Sequence, residues 1–229
     1  MSNAPTIATE RPARIGPGRL VLVIGPSGAG KDTLLNIARA ACVANRGIVF
    51  PRRIVTREAT SAEDNRQLDH EAFQAALARG DFAVHWEAHG HCYALPRGID
   101  DDVRAGRIVV ANVSRTVVDA MRRAYADVIV VEITAPPEVL AERLAMRARG
   151  SDGAIELRLS RNIDAAVAPP DVTIVNMGGA EFHARQLLAV ITGEPCGGVQ
   201  GREDQHDVDH RDDAVASAGG GAGCARAGR

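Results

Sequence analysis

The sequence predicts an α/β fold in which a parallel sheet is flanked by helices. Three observations predict it: four short, almost wholly apolar runs recur along the chain, a helix-like stretch follows each of them, and a Gly-rich turn joins the first run to the first helix. Continuous apolar runs mark strands buried on both faces, which occur where helices make the crossovers. With 229 residues, 45% of them apolar, the chain is long enough for one substantial domain and too short for two large ones.

The first strand is LVLVI at 20–24, followed by a helix over about 31–44. RIVVANV, centred on 108–111, is the second, with a helix over about 115–124 for which Ser114 is the N-cap. DVIVVEI at 127–133 leads to a helix at 136–147, whose first turn suits Pro136 and Pro137. The last strand, VTIVN at 172–176, precedes a helix over 181–191. Residues 51–98 interrupt this alternation with many charges, the single Trp and one of two Tyr, and read as an insertion covering the ligand edge of the sheet.

Both ends differ in composition from the interval 18–192. Residues 1–17 carry three prolines and no hydrophobic period, the pattern of a flexible arm. Residues 193–229 are rich in Gly, Ala and Asp, with too little apolar surface to offset the entropy of ordering, and are expected to be a disordered tail.

Several function classes are disfavoured. The net charge of −2 argues against nucleic-acid binding, no apolar run is long enough for a membrane span, and four scattered cysteines without a CxxC pair suggest reduced thiols. A cytoplasmic protein is the expectation, with the oligomeric state left open, a homodimer included. One detail is unusual: of 27 basic residues, 26 are Arg and only Lys31 is Lys.

That lysine sits in Gly25-Pro26-Ser27-Gly28-Ala29-Gly30-Lys31-Asp32-Thr33, a GxxxxGK pattern between a strand and a helix. This is a P-loop: glycines let backbone N–H groups turn toward phosphate oxygens, and the helix adds its positive end. Lys31 would reach the β- and γ-phosphates of ATP, and Asp32 and Thr33 would assist Mg²⁺, although a hydroxyl usually stands where Asp32 is.

Arginines concentrate where a second anion would sit: Arg52, Arg53, Arg57 and Arg66 in the insertion, Arg115 after a strand, and Arg143, Arg147, Arg149, Arg158 and Arg161 around a lid segment at 147–155. No general base stands out, which favours an acceptor whose nucleophile is an already ionised phosphate oxygen. His85, His89 and His91 read as hairpin positions that bind substrate, with a metal-ligand reading as the alternative.

The order of these features resembles the guanylate kinase-type nucleotide kinases over residues 19–192: the P-loop, Thr56-Arg57, an insertion ending in a Tyr hairpin, the ERLAMRARG lid and the TIVN strand. Within that group, GPSGAGKD, RIVTREAT, the Trp86–Tyr93 stretch and NVSR at 112–115 are most similar to the ribose 1,5-bisphosphate phosphokinase family of phosphonate breakdown. The resemblance implies transfer of a phosphoryl group from ATP to ribose 1,5-bisphosphate. It assigns Arg57, Tyr93 and Arg115 to the acceptor, and Lys31, Arg147 and Arg149 to the transferring group. The alternatives are a guanylate or other nucleoside monophosphate kinase and a non-catalytic module of the same fold. Where guanylate kinases carry an acidic stretch after the central strand, this chain has Ala111-Asn112-Val113-Ser114-Arg115.

Overall fold

The computed structural model describes residues 13–57, 65–148 and 169–194. Residues 1–12 of the expected arm over 1–17, most of the lid and the tail beyond Glu194 lie outside the described residues. Their assignment stays an expectation.

The central strand β1 (Ile15–Ile24) is buried on both faces. Its side chains alternate: Leu20, Leu22 and Ile24 enter one core, while Val21 and Val23 enter another. The other strands of the main sheet are β2 (Ile48–Val49), β7 (Ile108–Asn112), β8 (Tyr125–Thr134) and β9 (Val172–Val175), arranged β2-β7-β1-β8-β9 with every pairing parallel. The strand begins earlier than the expected run at 20–24. Ile15 pairs with Tyr125 before an irregularity in register, so residues 15–17 belong to the sheet and not to an arm. Polar and Pro-containing sequence concealed a strand end that is held by pairing more than by apolar burial.

Helices cover both faces. α1 (Lys31–Ala41), α5 (Pro137–Ala148) and α6 (Ala180–Thr192) pack on the Val21 side through Leu34, Leu35 and Ala38, through Leu140, and through Ala184, Leu187 and Ile191. α3 (Gly98–Arg104) and α4 (Val118–Ala124) pack on the Leu20 side through Ile99 and Val103, and through Val118 and Met121. Ser114 caps the short 3-10 turn Arg115–Val117 that leads into α4, accepting from the Thr116 N–H.

The insertion is a second sheet. β3 (Arg53–Val55), β4 (Asn65–Gln67), β5 (Phe82–Ala88) and β6 (His91–Pro96) lie in the order β4-β3-β6-β5. One face packs against α2 (His70–Arg79), with Ile54, Cys92 and Ala94 against Phe73 and Ala76. Asp69 caps that helix, accepting the Ala72 N–H at 2.7 Å. The other face sends Val55, Trp86, Tyr93 and Leu95 into the core of the main sheet. Two-sided packing of this kind makes the insertion continuous with the first core and fixes it beside the C-terminal ends of β1 and β7.

Candidate active site

The P-loop closes between β1 and α1 as a rigid cradle. Gly25 has φ +140°, and a Cβ there would come within 1.9 Å of the Ile133 carbonyl oxygen. Gly30, the α1 N-cap, has φ +88°, and its Cβ position lies 2.4 Å from Asn176 Nδ2. Any larger residue would force the sheet and the loop apart. Lys31 Nζ donates to Gly25 O and Pro26 O, both at 2.8 Å, which holds the ammonium over the mouth of the loop.

Two residues strap the loop from behind. Asn176, buried at the end of β9, donates from Nδ2 to Ala29 O at 2.8 Å. Arg143 of α5 donates to Gly28 O at 3.4 Å and to Asn176 O at 3.2 Å. Neither strap was legible as such in the sequence. The only signal was a polar residue ending an apolar strand at the edge where open α/β sheets bind ligands.

Asp32 lies in the first turn of α1 and accepts from Asn112 Nδ2 at 3.1 Å, while Thr33 is exposed. The register Val23↔Asn112 puts Asn112 beside the end of β1. Asp32 and Asn112 line a cleft together with Arg39, Phe50, Arg53 and Asn65. Ser27 is exposed, whereas Gly28 and Ala29 are buried.

The expected acceptor residues are not equivalent. Arg57 follows β3 and is half-buried. Tyr93 is only 8% exposed; its ring stacks on Trp86 at 5.7 Å, and the Arg53 guanidinium sits 5.3 Å from its centre. The tyrosine therefore supports the cationic wall of the cleft by a cation–π contact. Arg115 is engaged by the Glu132 carboxylate at the end of β8. Arg147 falls in the last turn of α5, and Arg149 lies outside the described residues.

His85 and His91 stand on β5 and β6, and His89 takes φ 52° in the two-residue turn between them. Among the described residues no three His, Cys, Asp or Glu side chains gather as a metal-binding group. The Cys42 and Cys92 thiols are both pushed up by burial, Cys92 additionally by the Glu87 carboxylate. Neither has the thiolate character of a nucleophile.

A strand–P-loop–helix cradle, a cationic cleft beside it and an arginine-bearing helix behind it define a P-loop phosphotransferase of the guanylate kinase-like fold. A guanylate kinase structure from Anaplasma phagocytophilum shares that fold, with a TM-score of 0.55 and 23% identity, over 79% of this chain and 87% of its own. No family model matches the sequence. The chain is 61% identical over 194 residues to the ribose 1,5-bisphosphate phosphokinase PhnN of Bradyrhizobium diazoefficiens, covering 85% of this chain and 98% of that protein. It is 60% identical over 185 residues to the PhnN of Rhodopseudomonas palustris, covering 81% and 94%. The chain belongs to the ribose 1,5-bisphosphate phosphokinase (PhnN) family and is a kinase.

Proposed function

We propose that the chain transfers the γ-phosphoryl group of ATP to ribose 1,5-bisphosphate, giving 5-phospho-α-D-ribose 1-diphosphate and ADP, as a step of phosphonate catabolism. The carrying observation is about 60% identity to relatives of that name, sustained over nearly their whole length. The site chemistry supports it. A phosphate oxygen of the acceptor forms the new bond to the γ-phosphorus while the bond to the β–γ bridging oxygen breaks, and ADP leaves with that oxygen. An ionised phosphate nucleophile needs no base, so positioning and charge stabilisation suffice.

In this reading Gly25, Ser27, Gly28, Ala29 and Gly30 present backbone N–H groups to the ATP phosphates, while Pro26, which has no N–H, shapes the turn between them. Lys31 neutralises charge developing at the β–γ bridge. Arg57 and Arg115 hold the acceptor, and Tyr93 acts through Arg53, whose guanidinium it carries. Arg147 and Arg149 serve the transferring group, as the family resemblance implies.

The residues present fit Mg²⁺: one carboxylate at the start of α1, oriented by an amide, is the sparse donor set that a phosphate-borne Mg²⁺ uses. Asp32, with Thr33 as the neighbouring hydroxyl, would hold it; bound there, the ion screens phosphate charge. No helix among the described residues is long and apolar enough to cross a membrane. A cytoplasmic location belongs to the same proposal, supported by the two buried free thiols.

The test is product analysis by mass after incubation with ATP and Mg²⁺, with ribose 1,5-bisphosphate and GMP supplied separately. Phosphoribosyl diphosphate from the sugar, with little turnover of GMP, is the expected outcome. Efficient GDP formation would retain the kinase and overturn the acceptor.

A further inference from the structure

In P-loop enzymes the Mg²⁺ of the nucleotide is usually held by a neutral hydroxyl directly after the loop lysine and by a carboxylate on a neighbouring strand. Here the residue after Lys31 is Asp32, and the strand beside β1 ends in Asn112. The carboxylate and the neutral side chain have traded places. The pair keeps one carboxylate, and its two members meet across the site, Asn112 Nδ2 donating to Asp32 Oδ1 at 3.1 Å over 80 residues of sequence.

We propose that Asn112 is a positioning residue for the metal–nucleotide complex, holding the relocated carboxylate of Asp32 by donation from its amide. An amide suits this place because it donates a hydrogen bond and adds no charge. It occupies one oxygen of Asp32 and leaves the other to accept from the ion or its water. A carboxylate at 112 would set two acceptor-only groups against each other and a second negative charge beside the phosphates. The pair lines the same cleft as Arg39 and Arg53, and the amide hydrogen bond fixes one oxygen of Asp32 within it. This inference rests on the nucleotide reading of the P-loop and is independent of which acceptor the enzyme uses.

Calorimetric titration with ADP, with and without Mg²⁺, tests it on Asn112→Ala, Asn112→Asp and the double variant Asp32→Ser/Asn112→Asp. Loss of a residue that orients a metal ligand costs about 10–100-fold in metal-dependent affinity. Both single variants should lose that much of the Mg²⁺-dependent gain in ADP affinity, while metal-free ADP binding changes far less. The double variant, which restores the usual placement, should recover most of the loss. Wild-type Mg²⁺ dependence in the single variants, or no recovery in the double, would overturn the proposal. So would equal loss of metal-free and Mg²⁺-dependent binding, the mark of a merely structural role. Should Asn112→Asp fail to fold by circular dichroism, Asn112→Ala against wild type decides by the same criterion. Absence of ADP binding by the wild-type protein would remove the P-loop reading and this inference with it, whatever the acceptor assay gives.

Discussion

Lys31 is held by carbonyls of the loop it serves, at Gly25 and Pro26, so its charge is in place before any phosphate arrives. Preorganised charge at the point where negative charge develops is worth about 10²–10³ in turnover. Lys31→Ala should therefore lower kcat by about that factor while the urea unfolding midpoint stays near wild type. Lys31→Arg should not rescue it, because a flat guanidinium does not replace a compact ammonium within a tight backbone ring. Near-normal turnover in Lys31→Ala would remove the residue from the reaction. The lysine and the glycines could be assigned from the sequence because the motif is local. The Asp32–Asn112 contact and the Asn176 strap could not, since each joins segments distant in sequence and only the register of β1, β7 and β9 brings them together.

Among the elements, β8 is tied at its start to α3. Tyr125 donates its hydroxyl to Asp100, and both side chains are buried, 2% and 5% exposed. Burial, then the hydrogen bond and charge of Asp100, push the Tyr125 hydroxyl far above its ordinary value. With the folded pKa raised, this contribution is complete below about pH 10, the unfolded value. It declines as pH rises further, because the unfolded chain releases a proton that the folded chain keeps. Tyr125→Phe should cost about 1–3 kcal/mol near pH 7 by leaving Asp100 short of a partner. It should also flatten the alkaline loss of stability by up to about 1.4 kcal/mol per pH unit, read from urea melts above pH 10. An unchanged alkaline slope would show that Tyr125 ionises equally in both states.

The same scale explains what the sequence revealed of the fold. β1 and β7 are buried on both faces, β8 largely so, and all three read as apolar runs, as does the half-exposed edge strand β9, so the main sheet was plain. The second sheet was visible only as an interruption, since β3 and β4 span three residues each, β3 with an Arg beside two apolar residues and β4 wholly polar. Tyr93 was assigned to the acceptor through the resemblance of its hairpin, and its stacking on Trp86 and its contact with Arg53 could not be read from the sequence.

At the scale of the whole molecule, the two cores on either side of β1 make the main sheet a divider, and the P-loop, Asn112 and Asn176 collect at the C-terminal ends of its strands. Residues 197–229, by contrast, contain valine as their only large aliphatic type and no aromatic side chain. A chain ending at Cys196 should keep the turnover and thermal midpoint of the full-length protein. A drop in either would assign the tail a part in folding or catalysis.

The ammonium at the mouth of the P-loop has one further consequence. Because Lys31 is the sole lysine, the Lys31–Asp32 bond is the single cleavage point in 229 residues for a lysine-specific endoprotease. A protease needs several residues of extended chain, and here the bond lies at the first turn of α1, just past a loop strapped by Asn176 and Arg143. The rate of that one cut thus becomes a clock for opening of the nucleotide loop, which bound ADP should slow in proportion to its occupancy.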